Sequence, residues 1–294
     1  MHDAHHLHPS NLPTAAPQSL ASMREALAAR GLFGIGVPPR MGGGGGQLRD
    51  AIHAVAETAR SCVAQALVLA SQRLLVQALV RSENIGAAEY QLPRLLDGDI
   101  GGNCAASWPQ GAELAPALAR DTGRGWLMSG GFPVLPNLQH DWFVVSVPVL
   151  FQGARQFSLV LLRAEETGIA QRHAAVEDHP AEAGIALALE NVFLREDEII
   201  AEDGPGAVAE LLPLARSMQA AVFAGRCHRA VAGRPDRVGA QAAIEDLLAG
   251  AVQAVTNASD AAAPLAALRR MWASLSAATN PVAREAHPSV LVAP

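Results

Sequence analysis

Three cysteines, a handful of histidines and one glycine run are the places where the residue types of this chain could support chemistry. Cys62, Cys104 and Cys227 stand far apart with no paired spacing, so they suggest neither a disulfide framework nor a zinc site. His2, His5, His6 and His8 cluster among prolines near the start. Metal capture would need a fixed geometry, and nothing in the spacing packs these residues, so the segment reads as a disordered tail. His228, flanked by Arg226 and Arg229, could hold a phosphate, but charges on the solvated face of a helix do not require a ligand. His140 and Asp141 look like a catalytic pair, yet neighbours in a strand point to opposite faces. His173 and His179 fall in a polar loop without a visible partner, and His53 reads as a half-buried, satisfied helix residue. Gly42 to Gly46 could cradle a phosphate, but no preceding strand or following GK[ST] supports it, so the run reads as a flexible connector.

The elements that must position such groups are mostly helical. Half of the 294 residues are hydrophobic and 17% are charged, the balance of a globular chain. Alanine and leucine, both strong helix formers, carry most of the apolar content. The net charge is −6, the basic residues are all Arg, and no basic stripe appears, which argues against nucleic acid as a partner. No apolar run of eighteen or more and no signal peptide stand out, so a cytoplasmic location and no membrane role are expected.

Helical patterns are predicted from Ser19, over about 47–62 and 63–80, and around 86–96. β-rich runs follow: Trp126 to Met128, closed by Ser129-Gly130-Gly131, then 142–147, 157–162 and 186–193. Helix returns over 207–231 despite Pro213, then over 240–257 and 264–279.

This layout, with particular residues inside it, resembles the acyl-CoA dehydrogenase superfamily. Gly31 to Gly46 (GLFGIGVPPRMGGGGG) is similar to the family's helix-loop signature, and YQLPRLLDGDIGG to the leucine-proline segment that leads into its strand domain. Gly168-Ile169 and ALALENVFLREDEII match strand-domain features further on. The resemblance implies an α+β, mainly helical fold. Its parts would be a tail at 1–18, an N-terminal helical domain over 19–98, a middle β-barrel domain over 99–203, a shortened C-terminal helical bundle over 204–280 and a tail at 281–294. A helical hairpin is missing around 232–240, which implies uncovered apolar faces and a homo- or hetero-oligomer.

The same resemblance implies FAD, or reduced flavin, as cofactor and an acyl thioester or related small molecule as substrate. The family's flavin loop aligns with Cys104 to Glu113, placing Cys104, Ala106 and Ser107 at cofactor contacts, with Ser107 at a threonine position. Trp108 stands where the family has a glutamate, and Glu113 where it has a serine near phosphate. Two like charges at about 4 Å in a partly screened site cost on the order of 4 kcal/mol. Val134 and Pro136 fall at the family's flavin-facing tryptophan and threonine, which removes a flat partner and a donor. Dehydrogenation needs a carboxylate to take the proton beside the carbonyl, and the family's late glutamate loop has no counterpart here. After Glu210 only Glu245 and Glu285 remain, so the catalytic residues stay unassigned. Arg270 and Trp272 are similar to the last helix of the flavin monooxygenase branch. Three readings follow: an acyl-CoA dehydrogenase-like flavin oxidoreductase, a cofactor-free subunit that pairs with an active homologue, and a monooxygenase relative using reduced flavin.

Overall fold

A computed structural model describes residues 20–104, 115–135, 142–176 and 179–279. Four helices come first: α1 (Leu20–Ala29), α2 (Leu48–Ser61), α3 (Val63–Arg81) and α4 (Ile85–Leu96). Eight strands follow, β1 (Gly101–Asn103), β2 (Ala117–Asp121), β3 (Trp126–Leu135), β4 (Val144–Phe151), β5 (Ser158–Arg163), β6 (Ile169–Val176), β7 (His179–Leu194) and β8 (Ile199–Ala201). Three helices close the described chain: α5 (Gly204–Val231), α6 (Arg237–Thr256) and α7 (Ala262–Thr279). The architecture is mixed α+β and mainly helical, as the sequence predicts.

Helix α2 starts where Gln47 donates its backbone N–H to Asp50 Oδ2 at 2.8 Å, one half of a capping box. One face of α2 (Ile52, Val55, Ala59) is buried and His53, on the other, is exposed rather than half-buried. Helix α3 is buried on nearly every side, and although it is long and apolar enough to cross a membrane, that surface is packed inside the protein. It touches α1, α2, α4, α5 and β1, so it is the post around which both helical blocks assemble. Helix α5 runs through Pro213 and packs against α2, α3, α6 and α7.

Gly42 to Gly46 differ from the flexible connector expected. Gly44 N–H donates to Gly34 O at 2.9 Å, Gly45 N–H to Val37 O at 2.9 Å and Gly36 N–H to Gly45 O at 2.6 Å. A Cβ on Gly43 would collide with the Val37 side chain and carbonyl, so the glycine is there for a close backbone approach.

The strands form one sheet in the order β6-β7-β3-β2-β4-β5-β8, with β1 added in parallel beside β4. Its own core includes Met128, Phe132, Trp142, Val145, Val147, Val160, Leu162, Ile185 and Leu187. Strand β3 does not stop at Ser129-Gly130-Gly131 but continues to Leu135. A side chain on Gly130 would meet Ala117 of β2 at 2.8 Å, so the glycine serves the pairing of two strands instead of ending one. His173 and His179 are likewise not in a loop: His173 pairs with Ile185 across the β6–β7 ladder, and His179 opens β7 opposite Val176.

Candidate functional site

The short strand β1 leads into the segment where the cofactor contacts were expected. Gln72 of α3, fully buried, fixes its start. The Gln72 amide donates to Leu95 O at 2.6 Å and Asp99 O at 2.9 Å, and its Oε1 accepts from Gly101 N at 3.4 Å. One side chain thus ties the end of α4, the connector and β1 to the central helix. On the far side, β1 pairs with β4 over Gly101↔Val144 to Asn103↔Ser146, and Cys104 N–H donates to Ser146 O at 2.8 Å.

Cys104 is 3% exposed and packs in the core of the sheet. Burial pushes its thiol far above the ordinary range, so it is a neutral apolar residue and no nucleophile. Val134 lies at the other border, half-buried, where β3 gains a residue against β7: Phe132 pairs with Leu187 and Leu135 with Ile185. Two residues of β3 there face one of β7, a bulge that accommodates Pro133, which has no N–H to give to the ladder. A second shift, between Met128 and Gly130, puts the extra residue on β7, where Asn191 has φ 52° and donates its N–H to Ser129 Oγ at 3.0 Å. Ala106, Ser107 and Pro136 lie outside the described residues, as do Trp108, Glu113, His140, Asp141 and Glu285.

Neither described member of the set, Cys104 or Val134, offers a side-chain donor or a flat face to a flavin ring. Three buried donors near β1 lack partners, Ser71 Oγ on α3, Ser146 Oγ on β4 and Trp142 Nε1 just before β4, but they are sealed at 0–2% exposure. Among the described residues, then, the side chains at this border do not by themselves build a flavin site.

The carboxylates tell where proton chemistry could occur. The described C-terminal helices and their turns (204–279) carry Glu210, Asp236, Glu245, Asp246 and Asp260, and all of them are exposed. Glu210 pairs with Arg81 at 2.8 Å and Asp236 with Arg234 at 3.1 Å, while Asp260 pairs with Arg216, which holds its carboxyl below the usual range. Glu245 lies 2.7 Å from His228 Nε2 and 3.7 Å from Arg60. His228 is therefore buried between α2 and α6 and is not a solvated phosphate ligand; burial foremost, helped by Arg60, lowers its pKa against the pull of Glu245. In the turn between β7 and β8, Glu198 is the one described carboxylate whose pKa is raised, chiefly by burial. It accepts Arg195 N–H at 2.8 Å and lies 3.3 Å from both Arg163 and Arg195, so it closes a turn and is not poised as a base.

Concave surface occurs elsewhere. A cleft of about 410 Å³ opens where α3 ends, β8 passes and α5 begins, and a smaller one of about 250 Å³ adjoins it across the Arg81–Glu210 pair. Among the described residues no group of three or more His, Cys, Asp or Glu could hold a metal ion.

Residues 12–99 match the family model described as the N-terminal domain of acyl-CoA dehydrogenase. The butyryl-CoA dehydrogenase structure from Megasphaera elsdenii superposes with a TM-score of 0.71 at 17% identity, over 88% of this chain and 78% of that one. A glutaryl-coenzyme A dehydrogenase in complex with glutaryl-CoA gives 0.70 at 20%, over 88% and 79%. The ChsE4–ChsE5 complex from Mycobacterium tuberculosis gives 0.65 at 15%, over 87% and 74%. A search of curated proteins gives no match.

Proposed function

We propose that this chain, a member of the acyl-CoA dehydrogenase superfamily, is a subunit of a flavin oxidoreductase acting on an acyl thioester, and that a second chain completes its reaction cleft. It keeps the scaffold and leaves the proton-abstracting carboxylate, and part of the cofactor's surroundings, to the partner.

The observation that carries this reading is the placement of the carboxylates on α5 to α7 and their turns. A general base must come within hydrogen-bond reach of the proton that it removes, in a site from which water is largely excluded. The described carboxylates of this block are exposed, and four of the five lie within 4 Å of an Arg. An exposed, paired carboxylate is a weak base. Support also comes from the cleft border, where Cys104 is turned into the sheet core. One of the fold neighbours is itself named as a complex of two different proteins.

FAD is the cofactor that this reading implies; it would accept hydride from the carbon next to the deprotonated one. What this chain contributes is positional. Gln72 and the β1–β4 ladder hold the strand that enters the Ala105–Leu114 segment, and the β3 bulge sets the direction in which Val134 leaves the sheet.

The test is to purify the chain alone and after co-expression with a full-length dehydrogenase of the same superfamily. The expected result is a chain that retains no flavin alone, and a mixed assembly that is yellow and is bleached anaerobically by an acyl-CoA. A chain that is yellow and bleached alone contradicts the proposal.

A further inference from the structure

The two adjoining clefts at the meeting of α3, β8 and α5 lie apart from the β1 border and have a consistent chemistry of their own. The inner one is walled by Leu48, Pro213, Leu214 and Val255. Gln77 lines it, and this side chain, on a residue only 6% exposed, has an Oε1 atom with no hydrogen-bond partner. A buried amide oxygen left without a donor gives up its hydration for nothing in return, so its retention calls for an explanation. A second acceptor comes from α5: Pro213 brings no N–H to the carbonyl of Ala209, and both residues line the compartment.

At the mouth, Arg81 donates to Glu210 Oε2 at 2.8 Å, and both residues line both clefts. The outer cleft has an apolar floor of Ala78, Leu159, Ile200 and Leu211 and a rim of Glu83, Glu202, Asp203 and Glu210, with Arg81 as its single cation among the described residues. The N-terminus of α5 opens here and would by itself favour an anion. Asp203 already occupies that position, accepting the N–H of Gly206 at 3.0 Å. What remains is one unpaired side-chain acceptor inside, beside a carbonyl that lacks its helical N–H, with apolar surface between and surplus negative charge outside.

We propose that this double cleft binds a short aliphatic diamine. One ammonium group, with three N–H donors and no acceptor, satisfies Gln77 Oε1 inside and shares the Glu210 carboxylate with Arg81 at the mouth. The methylene chain lies over Leu159 and Leu211, and the second ammonium meets Glu83 and Glu202 at the rim. The site is independent of the flavin reading and stands or falls without it.

The experiment is calorimetric titration of the full chain with putrescine, n-butylamine and butyrate. Putrescine should bind tightest, butylamine more weakly and butyrate not at all. Gln77→Leu removes an acceptor that has no protein partner, so it leaves folding intact and should weaken both amines about tenfold, the worth of a hydrogen bond from a charged donor. The double variant E83Q/E202Q should lower putrescine to the level of butylamine and leave butylamine unchanged. Absence of amine binding, equal binding of butyrate, or wild-type affinity in Gln77→Leu overturns the proposal.

Discussion

Gln72→Leu removes the polar link that joins the N-terminal helices to the sheet while keeping much of the volume. The wild-type amide makes contacts at 2.6, 2.9 and 3.4 Å, with Leu95 O, Asp99 O and Gly101 N. Leu95 O keeps a second donor, the N–H of Gly98 at 3.3 Å, so its loss is partial. Asp99 O loses the shorter of the two remaining bonds, and the 3.4 Å bond is the weakest of the three. A buried group stripped of its partner costs about 1–3 kcal/mol, so the substitution should destabilise by roughly 2–3 kcal/mol in total. At about 2.1 cal/mol/K of unfolding entropy per residue, that is a fall in Tm of roughly 4 °C. Thermal unfolding followed by circular dichroism reads the shift, and hydrogen exchange should show faster opening at Gly101 and Gly102 than in α2. Loss of less than about 0.5 kcal/mol, within the range of an ordinary surface change, would refute the assignment of Gln72 as the link.

Other consequences are as direct. Gly43→Ala should cost about 2 kcal/mol or more in urea unfolding, as overpacking against Val37 requires, whereas Gly44→Ala, whose new Cβ would sit 3.6 Å from Gly34 O, should be near neutral. In the native protein a thiol reagent should react with Cys62 alone, since burial raises Cys104 and pushes Cys227 up to about 12; all three should react after denaturation. The folded protein lowers the His228 pKa below the unfolded 6.5, so the unfolded chain binds the extra proton first and stability falls as pH drops through that value. His228→Gln should flatten the stability change measured between about pH 7.5 and pH 5.5, and an unchanged slope would assign that change to other groups.

Much of the frame was legible because its signals are local. The helical patterns over 47–62 and 63–80 place α2 and α3 within a residue at each end. The sheet was harder. His173 and His179 sit in segments rich in alanine and charge, where intrinsic β preference is weak, and their strand character comes from pairing with each other's strand. Gly130 and Gly43 mislead in one way: a glycine that permits close approach is indistinguishable in sequence from one that breaks an element. Of the cofactor contacts that the resemblance implies, Cys104 follows β1 and Val134 lies near the end of β3. The resemblance could not reveal that Cys104 faces the sheet core, because side-chain direction depends on the β1–β4 register. Gln72 went unnoticed for a related reason, since an uncharged residue inside an apolar helix has no motif, only partners 23 to 29 residues away.

Whether the cleft is complete in one chain is measured directly by anaerobic titration of the purified protein with FAD followed by an acyl-CoA. A cleft shared between two chains predicts no stoichiometric flavin binding and no bleaching by the acyl-CoA until a complete homologous subunit is present. One equivalent of tightly held FAD, reduced by acyl-CoA in the chain alone, would contradict it.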